Sequence, residues 1–148
     1  YADSAGLLEE TTQRPVSRYG HKPVLHLVID DCMGTPLMSA GPRSKLVNLC
    51  IKHRHLADGL GLSIYICVQS WSAQGSVPRA VRENATAVVV FATPHQKQLE
   101  KMSEELADRR GPELFLASYR KATALPYGFL FCRLDGKGER YHNGWNGL

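Results

Sequence analysis

The chain has 148 residues, 43% of them apolar, with 18 basic against 14 acidic side chains and a formal charge of +4. That length suits one domain, or part of one, with a single substantial core. The mild positive excess suits a polyanion partner without identifying one. No apolar run approaches the roughly 20 residues that cross a bilayer, and residues 1–14 lack the basic start and apolar centre of a secretory signal. A membrane partner is therefore not expected. Cys32, Cys50, Cys67 and Cys132 are far apart and three lie in apolar runs, so they read as small buried hydrophobes in a reducing, intracellular compartment.

In chain order, residues 2–14 read as a helix within a lead-in segment, 1–22. Four short apolar runs follow, at 24–29, 63–68, 87–92 and 128–132. They are too continuous for half-exposed strands and predict strands buried on both faces. A first helix is predicted over 42–55, with Pro42 in its opening turn and Leu46, Leu49, Cys50 and His53 on one face; Asp58-Gly59 ends it. Residues 70–78 form a polar loop before a short helix in the segment 77–84. Thr93-Pro94-His95-Gln96 has the form of a capping box, Thr93 capping and Gln96 reaching back. Leu99, Met102 and Leu106 then supply a buried stripe. A last helix fits 112–122, with Leu114, Phe115, Ser118, Tyr119 and Ala122 on one side, and the tail 135–148 looks loose. Strands alternating with helices predict an α/β arrangement with a mainly parallel sheet.

The chemistry is concentrated at strand ends. The first strand delivers Asp30 and Asp31 at its carboxyl end, where open α/β sheets hold ligands. This is a Walker B pattern. In such sites the first acid holds hydrated Mg²⁺ on the nucleotide phosphates and its neighbour polarises the attacking water. Taken alone, the pair is equally an acidic cap that opens a turn. The second strand ends in Gln69, which could orient the attacking water or sense the γ-phosphate; alone it is an ordinary polar residue at the start of a loop. Arg54, near the end of the first helix, and Arg79 and Arg82, beyond Gln69, carry the rigid donor fork with which an arginine completes a neighbour's phosphate site. A solvated surface arginine is the simpler reading of each.

Two segments imitate a phosphate loop. Gly41-Pro42-Arg43-Ser44-Lys45 lacks the Gly-Lys-Ser/Thr ending and follows the acidic strand, and Gly136-Lys137-Gly138 fails similarly. Cys50, His53 and His55 have ligand chemistry but no second group at zinc spacing.

In order along the chain, residues 27–34 (LVIDDCMG), 48–55, 62–70 and 77–84 resemble the genome-packaging ATPases of large DNA viruses, the poxvirus and giant-virus type within the FtsK/HerA superfamily. The similarity covers about 24–134, closing on 119–123 and 126–130. It implies a RecA-like P-loop NTPase fold, a three-layer αβα arrangement with a mainly parallel sheet, of which 23–134 runs from Walker B to the last strand. It also implies ATP and Mg²⁺ as cofactors, a homo-oligomeric ring, and movement of double-stranded DNA into a capsid through its portal or vertex. The setting would be a virus factory in the host cytoplasm, or the virion. Asp30 matches the acid that carries Mg-ATP through water, Asp31 the catalytic acid, Gln69 the strand-end glutamine, and Arg54 and Arg82 the basic positions. Asp31 departs from the glutamate found in many superfamily members. The Walker A strand and loop should precede residue 1, so the fold is expected to be incomplete and this stretch alone to bind ATP weakly. The same residues also fit a catalytically inactive assembly or DNA-binding subunit of that fold, another DNA translocase, or an unrelated doubly wound binding domain.

Overall fold

A computed structural model of the chain describes residues 25–41, 44–56 and 61–146. The lead-in helix expected at 2–14, Pro42 and Arg43, and the Asp58-Gly59 stop lie outside the described residues. The chain is mixed α/β and divides into two compact units, one holding residues up to Gln69 together with Gln74–Asn84, the other Ser70–Ala73 with Ala85 onward.

In the first unit, β1 (Leu25–Asp30) and β2 (Leu62–Cys67) pair in parallel, in register from Leu25 opposite Leu62 to Asp30 opposite Cys67. Parallel neighbours need a long crossover, and α1 (Lys45–Lys52) supplies it. Its start is local chemistry: the Ser44 hydroxyl accepts the Val47 N–H at 3.3 Å, a side-chain N-cap. Ser44 belongs to the stretch that imitates a phosphate loop, and its hydroxyl is used in this cap. A 3-10 turn, His53–His55, carries the chain on. Beyond β2 comes the single-turn α2 (Arg79–Glu83). Ile29, Met38, Leu46, Cys50, Val77 and Val81 form the buried core, with Leu27, Ile64 and Ile66 packed against it.

Both strands therefore bury one face. Val28 and Tyr65 are 63% and 51% exposed on the other, where His26 stacks on Tyr65 with ring centroids 5.8 Å apart. The expectation of strands buried on both faces is corrected, because the core lies against alternate residues only.

In the second unit, β3 (Ala87–Phe91), β4 (Phe129–Arg133) and β5 (Tyr141–Asn143) form an antiparallel sheet in the order β3-β4-β5. The last two apolar runs thus depart from the parallel pairing expected of them. Two helices, α3 (Gln96–Leu106) and α4 (Pro112–Ala122), separate these strands. A single helix returns the chain for another parallel strand, whereas a second helix reverses it once more and delivers β4 antiparallel to β3. The tail after Asp135 is also not loose. It folds back as β5, with Tyr141 and His142 buried and the Tyr141 hydroxyl donating to the Leu106 carbonyl at 2.9 Å.

The predicted stripes fill the core: Leu99, Leu106, Phe115, Tyr119 and Ala122 are buried against Val90, Leu130 and Cys132. Trp71 joins them, its indole N–H donating to Glu105 at 3.0 Å and its backbone N–H to the Gln98 side chain at 3.1 Å. The capping box does not form. Thr93 accepts instead from the His95 N–H at 3.2 Å, and His95 occupies the N-cap without a side-chain bond. Phe91, Phe129, Phe131 and Trp145 meet ring to ring on the opposite face, with centroids 5.0–5.5 Å apart. Among the described residues no helix is long and apolar enough to cross a membrane.

Phe115 has no exposed surface, so Phe115→Ala should cost about 3–5 kcal/mol, read as a lower denaturation midpoint. A smaller loss would show that α4 is not the centre of this core. Burial pushes the Cys132 thiol up to about 12, while Cys67 is exposed. Brief alkylation near neutral pH, followed by peptide mass spectrometry, should label Cys67 and spare Cys132 until the protein unfolds.

Candidate functional site

Parallel pairing brings the carboxyl ends of β1 and β2 to one edge of their sheet. Asp30 closes β1 opposite Cys67 and is exposed; strand alternation puts it on the open face with His26 and Val28. The next residue leaves the strand differently. Asp31 has φ of 49°, in the left-handed region, which a short acid tolerates better than most side chains. From there its Oδ1 accepts a hydrogen bond from Gln69 Nε2 at 3.1 Å. Residues 38 apart in sequence are thus joined where the two strands end.

The loop that follows is tied down by short bonds. The Cys32 thiol donates to the Asp30 carbonyl at 3.3 Å, and the Thr35 hydroxyl donates to the Cys32 carbonyl at 2.7 Å. The Gly34 N–H then crosses to the Gly75 carbonyl at 2.9 Å, linking the loop after β1 to the loop after β2. At that crossing a Cβ on Gly75 would lie 2.8 Å from the Gly34 Cα. Gly34 and Gly75 were not singled out from the sequence as a pair. Their only signal there is a glycine in each loop that follows a strand.

The two arginines lie elsewhere. Arg82 is half-buried on α2, and its Nη1 donates to the Val77 carbonyl at 2.9 Å. Arg54 is exposed and lies where the chain approaches β2: a Cβ on Gly61 would be 3.7 Å from the Arg54 Cα. The length of β2, roughly 17 Å at 3.3 Å per residue, separates that end from Gln69. Arg54 therefore does not join Asp31 and Gln69 on their edge.

Among the described residues no group of three or more His, Cys, Asp or Glu side chains could hold a metal ion. His53 Nδ1 instead meets the Cys50 carbonyl at 2.6 Å. For Mg²⁺, Asp30 has the right chemistry as one exposed carboxylate that needs water and phosphate oxygens as co-ligands, the way this ion is commonly held.

No family model matches the chain, and neither a curated protein nor a solved structure matches it.

The left-handed backbone at Asp31 has a measurable cost for other side chains. Asp31→Asn keeps a short polar group that suits this conformation and should leave stability within about 0.5 kcal/mol. Asp31→Val places a β-branched residue there and should lose about 1–2 kcal/mol. Urea midpoints that rank the two variants the other way would contradict the backbone geometry.

Proposed function

We propose that this chain is the Walker B half of an ATP-driven motor that moves double-stranded DNA into viral capsids, built on a RecA-like core and working as a homo-oligomeric ring. The observation that carries the reading is the hydrogen bond between Asp31 and Gln69 at the carboxyl ends of adjacent parallel strands, with Asp30 beside it. Open α/β sheets hold nucleotide phosphates at such an edge, and phosphoryl transfer asks a protein mainly for positioning and charge. The ordered resemblance to the packaging ATPases supports the same reading.

In this mechanism Asp30, exposed on the strand, would hold Mg²⁺ through water. Mg-ATP, when bound, supplies the transferable phosphoryl group and the charge that neutralises it. Asp31 orients the attacking water and takes its proton. Gln69 fixes the direction of the Asp31 carboxylate by donating to one of its oxygens, which leaves the second oxygen for water. Arg82 would lend positive charge from α2, and Arg54, at the other end of β2, suits a neighbour's site across a ring interface. Duplex DNA would be gripped through its backbone by basic side chains, in keeping with the mild positive charge of the chain.

The test is turnover by the whole protein carrying Asp30→Asn or Gln69→Ala. Each should keep its circular dichroism spectrum and lose about 100-fold or more in kcat. Wild-type turnover in either variant would remove the role given to that residue. Absence of ATP hydrolysis in the unmodified whole protein would favour an inactive assembly or DNA-binding subunit.

A further inference from the structure

We infer that the Gly34–Gly75 crossing is a positioning element that holds the Asp31 carboxylate against Gln69; its catalytic consequence rests on the ATPase reading above. Asp31 and Gln69 are both exposed, so neither side chain is held by surrounding packing. Whether the two side chains meet is therefore set by the backbone that carries them. Two residues separate Asp31 from Gly34, and five separate Gln69 from Gly75, with the Gly34 N–H bonded to the Gly75 carbonyl at 2.9 Å where the two loops cross. The Thr35 and Cys32 side-chain bonds brace the short arm between Asp31 and Gly34. The loops can approach this closely only because Gly75 has no side chain: a Cβ there would lie 2.8 Å from the Gly34 Cα and 2.9 Å from its nitrogen, both backbone atoms that have no rotamer in which to escape.

The two glycines provide their own control. Both have left-handed backbone, with φ of 72° at Gly34 and 78° at Gly75, but a Cβ on Gly34 meets nothing within 4 Å. Gly34→Ala therefore carries the conformational strain alone, and Gly75→Ala carries the same strain plus the clash. If the crossing positions Asp31, only the second should disturb the acid and its glutamine.

The side-chain amide of Gln69 reports this directly in a ¹⁵N spectrum of the 148-residue chain. Asp31→Ala marks the position of that resonance when the bond is absent. Gly75→Ala should move it toward that position, and Gly34→Ala should leave it near wild type. Thr35→Val, which deletes the hydroxyl bond to the Cys32 carbonyl without a clash, should move it in the same direction by less, and it decides the matter if Gly75→Ala fails to fold. An unmoved resonance in folded Gly75→Ala, or in Thr35→Val where the former does not fold, overturns the inference. So does an equal shift in Gly34→Ala.

In the whole protein Gly75→Ala should lower kcat by about 100-fold, the scale on which a misplacement near 1 Å acts, with KM for ATP little changed. The same change made in a Gln69→Ala background should cost almost nothing further, because the bond it acts through is already lost. Full additivity would overturn the positioning role. Lack of ATP hydrolysis in the unmodified whole protein would sink the ATPase reading and leave the spectroscopic result standing.

Discussion

Parallel pairing of β1 with β2 is the constraint on which the candidate site depends. Antiparallel strands exchange their ends, so residues that follow two such strands emerge on opposite edges. Parallel strands emerge together, and among the described residues only this pair does so. With Asp30 opposite Cys67, the residues one step and two steps beyond the register, Asp31 and Gln69, come within reach of one hydrogen bond. The α1 crossover that permits this arrangement depends in turn on the Ser44 cap and on Leu46 and Cys50 packing against Ile29. A site of two exposed side chains is thus specified by a small core on the far side of the sheet.

Each unit buries one face of its sheet and leaves the other largely apolar. In the first unit Val28 and Tyr65 stand on the open face, and in the second Phe91 and Trp145 do, at 58% and 63% exposure. The same feature explains the alternation of burial along strands whose sequences alternate hardly at all. Runs such as Leu-His-Leu-Val-Ile and Ala-Val-Val-Val-Phe are apolar on both sides, which is the composition of strands covered on both faces. The exposed half of that composition is what a third layer would cover in a three-layer fold.

Much of the local structure was legible and much of the pairing was not. The four apolar runs became strands within a residue or two of their expected bounds, and α4 covers the predicted 112–122. These features follow from hydrophobic period and from Pro112 at a helix start, both written locally. Strand direction is not local. The number of helices between β3 and β4 decides it. The tail, expected to be loose, instead carries a β4–β5 connection in which Arg133 donates to the Lys137 carbonyl at 2.9 Å between Gly136 and Gly138. At the site, Asp30, Asp31 and Gln69 were readable from their positions at strand ends. The remoteness of Arg54 was not, since sequence order says which side of α1 a residue follows but not which edge of the sheet it reaches.

The aspartate at the second acidic position acquires a geometric meaning beside this backbone. A glutamate has one more methylene, and in the left-handed region its longer chain forgoes the local hydrogen bonding that lets Asp and Asn occupy that conformation at modest cost. A short acid at φ of 49° is therefore the side chain such a turn accepts, and its carboxylate stays close to the backbone. The reach that it lacks is supplied from the opposite strand by Gln69, whose longer side chain spans the gap to 3.1 Å. On the ATPase reading, the departure from glutamate is then a consequence of how this loop turns, and Gln69 belongs to the acid as much as to the nucleotide.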